Sequence, residues 1–538
     1  MPPAYPIVHL LFSATIADVP VVLPLSGKYR ANMEKTTQAE KRSTYSLSIS
    51  SMPEPMDIKL DVASFTTLYG ENGSGKTAML LALCEGLVTR NRESQIGVLW
   101  EDYQGLYLYL GNSLQRRFVH CEFEASFTDN RPDFLAAFYT TSPYERARRT
   151  RLRAQGVLDI SPKFSQSQEA DPMAAFSAYP YLEGREKFVS KTQVEIRLKP
   201  TPLVDLIKNY GRWGSKTYNA LDPELKVYIQ ELSRQGSTIT KFILSFVVLN
   251  AVRSLEEYER YELIDALIKL IKENRPFLDD LLSDDTDQFE QMSIHPLLTP
   301  QLRKAWLALQ STRTLFEGLK NWRRTAQLSY LDEKIGGQIR QYEGLLSEVS
   351  ALGLLQFSFK GLSSGQASMM FLYCSVAKAL GEFERNSNAD HMLLCLDEGE
   401  MFMHPKWQRV YIADLLGFIR QFGGAAKRTH VFISTHSLIV AADTPAERLF
   451  DLEQKQITNA FGLTPKQTLT SVFDVNDFTG KFNHQLLREL SDVLNGKVRD
   501  RDAFVHARRV ANALADDDLK RHVQQQLDII GRDTDAKA

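Results

Sequence analysis

The sequence predicts an α/β fold with a mixed sheet, and three stretches carry that prediction. YGENGSGKT, Tyr69 to Thr77, follows the β-rich run Ser64 to Leu68 and precedes a run suited to an apolar helix, AMLLALCEGL. HMLLCLDEGE, from His391, holds an apolar run, Met392 to Leu396, that ends in Asp397-Glu398. HVFISTHS, from His430, offers another buried strand, Val431 to Ser434, with His436 just past its end. Short apolar runs of this kind suit parallel strands covered on both faces, and ligands of such sheets bind at the carboxyl ends.

The remaining elements follow in chain order. Tyr5 to Leu25 is apolar, but no positive charge precedes it, and Asp18, Pro20 and Pro24 interrupt it. It is neither a signal peptide nor a spanning helix, and no other stretch approaches membrane length, so no membrane partner is expected. Asn32 to Arg42 reads as a polar connector to a strand over Thr44 to Ser48.

In the glycine-rich loop, Gly70, Gly75, Lys76 and Thr77 occupy every fixed position of GxxxxGK[ST]. Small residues let successive backbone N–H groups turn inward around a polyphosphate, and Asn72, Gly73, Ser74 and Gly75 form that cradle. A helix beginning near Lys76 adds the positive end of its dipole. Lys76 is expected to reach the β- and γ-phosphates, and Thr77 to bind Mg²⁺ through its hydroxyl.

FLAAF leads into YTTSPYERARRTRLRAQG, where Arg146, Arg148, Arg149, Arg151 and Arg153 cluster. Two readings stand for residues 146–153: a solvated or acid-facing helix surface, or a phosphate-backbone contact with nucleic acid. Asn209 to Lys216, NYGRWGSK, either stacks a base or forms an exposed turn anchored by a core tryptophan. Pro276, Pro296 and Pro300 interrupt the region around the helical runs Leu255 to Lys272 and Leu302 to Leu319; without sustained heptads it reads as a compact helical lobe.

GLSSGQASMMFLYCSVAKAL places Ser363 at a helix start. The serine is either an N-cap or part of a phosphate site built from its hydroxyl, the backbone N–H groups and the helix dipole. At the strand end that follows, Asp397 would hold the Mg²⁺ shell and Glu398 would orient or deprotonate a water. His436 would be delivered to the same site by the neighbouring strand.

In order, GENGSGKT, LSSGQ, LLCLDE and STHS resemble the Walker A, signature, Walker B and switch-histidine motifs of the ABC-type ATPase superfamily. One departure is visible: the usual LSGGQ has glycine where this chain has Ser364. The resemblance implies a P-loop NTPase of the ABC-ATPase type, using ATP and Mg²⁺, with an antiparallel first-lobe subdomain. It implies Glu398 and His436 as catalytic residues and Asp397 with Thr77 at the metal. It also implies a head-to-tail homodimer or higher homo-oligomer, in which Ser363, Gly365 and Gln366 of one copy cap the ATP held by Lys76 of the other. The Q-loop stays unassigned: Ser142 to Arg146 takes its place without a glutamine, and Gln95, Gln104 and Gln115 fall earlier, in expected hairpin strands.

More than half of the chain lies between Thr77 and Ser363, unlike transport ATPases, in which these motifs are far closer. DEGEMFMHPKWQRVY resembles the OLD/RecF-like branch through Glu400, His404 and Pro405. The stretch after Ser437 reads as helices, with no Toprim or HNH metal motif. That profile is most similar to the PtuA-like ATPases of Septu-type and retron-associated anti-phage defence systems, which implies a separately encoded HNH nuclease partner, PtuB-like. The alternative is a DNA-repair or DNA-clamping ATPase of the RecF/SMC type.

The expected organisation is 1–160 as the N-terminal ATPase half, 161–350 as a mainly helical insertion, 351–460 as the C-terminal half and 461–538 as a helical tail. A net charge of −2, from 64 basic and 66 acidic residues, excludes a global basic field. Four cysteines far apart in sequence and without a CxxC suit a reduced, cytoplasmic protein, and zinc is not expected.

Overall fold

The computed structural model describes residues 5–16, 19–36, 44–52, 60–71, 73–88, 94–112, 114–142, 156–162, 169–170, 174–175, 178, 193–235, 238–253, 255–273, 300, 303, 328–329, 349–360, 362–385, 388–461, 463, 467, 481–498, 500–514 and 516–535. Contacts divide the chain into two units, Met1–Gly462 and Leu463–Ala538.

The first unit is organised by a seven-stranded mixed sheet. Its order is Leu158–Asp159, Phe134–Thr140, His391–Asp397, Thr429–Thr435, Ser64–Tyr69, Leu449–Asp451 and Gln456–Thr458. Every pairing is parallel except the last, between Leu449–Asp451 and Gln456–Thr458. The three predicted strands are therefore neighbours or near-neighbours, and Thr429–Thr435 stands between the other two. Each is buried along its whole length, which explains why the sequence shows continuous apolar runs instead of alternation.

Alternate residues serve opposite faces. Leu393, Cys395 and Phe432 pack with Met79, Leu80, Leu83 and Leu87 of helix Lys76–Val88. Met392, Leu394, Leu396, Val431 and Ile433 join Met369, Tyr373, Val376 and Leu380 of helix Ser364–Arg385. Each such side chain taken from water stabilises the sheet by roughly 2 kcal/mol. The loop helix is apolar on nearly all sides because its outer face is covered too, by Val8, Leu11 and Val98 of the first lobe.

Register brings the functional ends into line. Asp397 lies opposite Thr140 on one side and Ser434 on the other, and Thr435 lies opposite Tyr69, the last residue before the glycine loop.

The first lobe departs from a purely antiparallel arrangement. It holds one sheet of five strands and one of three, and each contains a single parallel pairing, Tyr107 with Ser126 and Leu47 with Val119. Asn32–Thr36, expected as connector, belongs instead to strand Tyr29–Thr36, paired antiparallel with Thr44–Ser51. Polar residues suit that hairpin because it is only half-buried. Gln95, Gln104 and Gln115 lie outside the strands, beside them in loops and turns.

In the insertion, helices Leu203–Tyr210, Pro223–Gln235, Thr238–Arg253 and Glu257–Glu273 bury Leu206, Ile229, Phe242, Phe246 and Leu267 in the same core as helix Ser364–Arg385. It also contributes Glu169–Ala170, Gln193–Leu198 and Leu328–Ser329 to an antiparallel sheet with Leu355–Lys360. Trp213 is not a core anchor: it is 67 % exposed at a turn capped by Thr217, whose hydroxyl accepts from the Trp213 N–H at 2.9 Å. The run Leu302–Leu319 and the arginines of 146–153 lie outside the described residues, Arg303 excepted.

Among the described residues, the second unit packs helices Lys481–Leu494, Arg501–Asn512 and Asp517–Asp535 around Leu490, Val493, Ala507, Ala511, Val523 and Leu527. Among the described residues, no helix is long and apolar enough to cross a membrane.

Candidate nucleotide site

The loop after Tyr69 turns at glycines held in left-handed backbone, Gly73 at φ 87° and Gly75 at φ 93°. A side chain there would be strained by the backbone itself, since nothing else stands within 4 Å of a Cβ at either position. Helix Lys76–Val88 starts directly behind them. Asn72 lies outside the described residues. Ser74 donates its N–H to the Glu71 carbonyl at 3.1 Å, and the Glu71 N–H donates to Glu453 at 2.8 Å, tying the loop to the edge hairpin.

Lys76 is buried, with 5 % exposure. Its ammonium donates to the carbonyls of Gly70 at 2.8 Å and Glu71 at 3.0 Å and meets His436 Nδ1 at 3.4 Å. Burial lowers its pKa, opposed by the carboxylates of Glu398, Asp397 and Glu453.

Asp397 is the centre of the arrangement. It is 1 % exposed and accepts from Thr77 Oγ1 at 3.1 and 3.0 Å, Thr140 Oγ1 at 3.0 Å and Ser434 Oγ at 2.6 Å. Three hydroxyls from the loop helix and both flanking strands thus converge on one carboxylate. Such bonds to a charged acceptor are shorter and stronger than neutral ones.

Glu398 leaves the strand in left-handed backbone, φ 51°, which is uncommon for a residue with a side chain. Its N–H lies 3.2 Å from both the carbonyl and the hydroxyl oxygen of Ser434. Its carboxyl meets His436 Nε2 at 3.2 Å. Burial, and then Asp397, raise the Glu398 pKa, against the lowering effect of Lys76. His436 is pushed down by burial and by Lys76, against Asp397. The imidazole is therefore held between the loop lysine and the strand-end acid.

The signature residues fold as a reciprocal cap. Ser363 donates its N–H to Gln366 Oε1 at 2.9 Å and its hydroxyl to the same atom at 3.0 Å, and Gln366 returns its N–H to Ser363 Oγ at 3.4 Å. Gly365 is required by close approach: a Cβ there would come within 2.8 Å of Trp407 and 2.9 Å of the Phe402 carbonyl. Among the described residues, no hydrogen bond joins Ser363, Gly365 or Gln366 to the loop Gly70–Thr77.

A hydroxyl and one carboxylate suit Mg²⁺, which keeps several waters and takes its other ligands from phosphate. Among the described residues no three His, Cys, Asp or Glu side chains come together as a protein-only metal site. Cradle, lysine and Thr77–Asp397 pair thus fit a magnesium–nucleoside triphosphate.

Three participants were missed by sequence reasoning, Thr140, Ser434 and Glu453; Glu400 enters it only through the family resemblance, not as a buried group of the site. Thr140 ends a strand adjacent to Asp397, so the FLAAFYT run carried a signal once its pairing was known. Burial raises the Glu400 pKa to about 7, with the Thr435 hydroxyl bond pulling the other way.

No family model matches the chain, and no curated protein matches it. Among solved structures, it is similar to one described as the recombination mediator protein RecF-ATPrS in the RecFOR pathway, at 12 % identity, covering 81 % of this chain and 100 % of that one. The TM-score of 0.24 is too low for that likeness to bear on the fold or the site.

Proposed function

We propose that the chain binds and hydrolyses ATP with Mg²⁺. One observation carries the reading: three hydroxyls converge on Asp397 while Lys76, His436 and Glu398 form a contact chain beside it. Lys76 and the Gly73–Thr77 backbone would hold the phosphates, and Thr77 with Asp397 would hold the metal. When bound, Mg²⁺ would neutralise charge on the phosphate oxygens. Glu398 would take a proton from the attacking water, with its raised pKa bringing it closer to the working range of a general base. His436 would orient that carboxylate from the opposite side.

The finer reading is a subunit of an anti-phage defence system. It would work in the cytoplasm, form nucleotide-dependent head-to-tail dimers and restrain a separate HNH-type nuclease. Its support is the resemblance of DEGEMFMHPKWQ to the OLD/RecF-like branch and of the whole profile to PtuA-like ATPases. For the dimer there is further support: Phe402, whose carbonyl lies against Gly365, is exposed, and so are Met401 and Val410 of the same segment, as an apolar contact surface requires.

The test is hydrolysis by the purified chain with Mg²⁺, followed by co-expression with the neighbouring gene. A complex that cleaves nucleic acid, while the single chain does not, supports the defence reading. Ser363→Arg should then alter control of cleavage, since a bulky cation would block the shared site. Hydrolysis stimulated by DNA without any partner protein would favour DNA clamping instead. Metal-dependent cleavage by the single chain, lost with its own carboxylates, would overturn the nuclease-partner assignment.

A further inference from the structure

We propose that Glu400 is a positioning residue that sets the geometry of the Glu398–His436 pair through Thr435. Its kinetic consequence rests on the ATPase reading; the contacts do not.

Backbone pairing between the two strands ends at Asp397 and Ser434. Beyond it Glu398 turns away at φ 51°, whereas Thr435 continues alongside Tyr69. Among the described residues the last backbone bond between the two segments runs from the Glu398 N–H to the Ser434 carbonyl at 3.2 Å; beyond it the segments carrying Glu398 and His436 diverge just where their side chains must meet.

Glu400 closes that gap. The Thr435 hydroxyl donates to Glu400 Oε1, and Thr435 Oγ1 accepts the Ser437 N–H at 2.9 Å. One neighbour of His436, Thr435, is thus tied to the carboxyl, and the other, Ser437, to the hydroxyl of Thr435. A second line runs in parallel: Ser437 Oγ donates to Gln408 Oε1 at 2.7 Å, and Gln408 Nε2 donates to the Met403 carbonyl at 3.1 Å. From behind, the Tyr411 hydroxyl fills the space a Cβ at Gly399 would take, 2.6 Å away, so the turn of residues 398–400 is held on both sides.

The position is costly for an acid. Glu400 is 3 % exposed, and its Oε2 has no hydrogen-bond partner. An apolar side chain would fill the same space with less desolvation penalty. What it would not supply is the acceptor for Thr435. Catalytic pairs must be held within about 0.5 Å, and a misplacement of about 1 Å costs up to about a hundredfold in rate. The 3.2 Å Glu398–His436 contact has little slack on that scale.

The experiment uses Glu400→Leu, Thr435→Val, their combination and Glu400→Gln in the full chain. Either of the first two should lower kcat about tenfold while KM for ATP stays within about twofold, and the combination should be no worse than one alone. Glu400→Gln keeps an acceptor for Thr435 and should retain at least about half of kcat. Independently of hydrolysis, the ¹³C-histidine NMR signal of His436, assigned with His436→Asn, should shift in the Leu and Val variants and stay in place in the Gln variant. Should Glu400→Leu not fold, Thr435→Val removes the same bond with almost no change of shape. An unmoved His436 signal in folded Thr435→Val, or additive losses in the combination, would overturn the proposal. A wild-type chain that hydrolyses no ATP, yet shows the expected signal shifts, breaks the ATPase reading and leaves the positioning role standing.

Discussion

The two ends of the central sheet use the same residue types to opposite effect. At the amino end, Ser64 Oγ and His430 Nδ1 lie 2.8 Å apart, and His430 Nε2 and His391 Nδ1 lie 3.3 Å apart. All three side chains are buried, and burial pushes His391 down to about 4 and His430 down as well, with His391 adding to the shift of His430. At the carboxyl end, Thr140, Asp397 and Ser434 are equally buried, but they sit beside glycines in left-handed backbone and the half-buried Glu398 and His436. The lesson is that burial and hydrogen bonding do not mark a site by themselves. What distinguishes the carboxyl end is that Glu398 and His436 are partly exposed beside the glycine loop. The histidine pair is buried, with Phe134 packed against both rings.

The largest expected effect breaks the carboxyl end outright. Lys76→Ala removes the only cationic side chain of the loop and should weaken ATP binding by at least about a hundredfold, read by calorimetric titration. Binding equal to wild type would mean that the loop is not a phosphate site.

Glu398→Gln should retain ATP binding within a few-fold and lower kcat by about 100-fold or more. The variant should accumulate as an ATP-bound dimer, measured by light scattering with ATP and with ADP. Unchanged turnover would move the base role elsewhere.

A pH profile sharpens the contrast. Because the Glu398 pKa is raised, the protonated acid persists above the ordinary carboxylate range. The acid limb of kcat should therefore lie above that range, with activity rising as pH increases through it. A limb at an ordinary carboxylate position would argue against Glu398 as base.

The smallest effect on activity is expected at the amino end. His430→Ala leaves Ser64 and His391 without their partner and should destabilise the fold by about 1–3 kcal/mol, seen as a lower Tm, with kcat within about twofold. The depressed histidines remain neutral in the folded chain and take up protons on unfolding. Their stabilising contribution is full above the unfolded value of about 6.5 and is lost as pH falls toward about 4. Glu400 has the opposite sign, because its pKa is raised to about 7: its contribution is full below the ordinary carboxylate range and is lost as pH rises through about 7. The wild-type Tm should thus fall below pH 6.5 less steeply than that of Glu400→Gln, which lacks this opposing contribution. Parallel Tm profiles would remove the Glu400 titration from the stability account.

The sequence by itself determined the glycine loop, the helix behind it and the three apolar strands, because each is a local pattern. Positive-φ glycines, an apolar run of strand length and acids at its end are all readable within a few residues. It also held Ser363 as a helix cap, since a capping box spans only four positions. Tertiary structure alone decided which strands are neighbours, and with that the site's composition. Thr77 and Thr140 reach Asp397 across sequence separations of 320 and 257 residues, and Ser434 across 37. No local preference encodes such meetings; they follow from parallel register, which the packing of two helices on opposite sheet faces fixes. The same holds for Glu400. In sequence it is one acid among three in DEGE, and only the divergence of two strand ends gives its buried carboxyl a partner in Thr435.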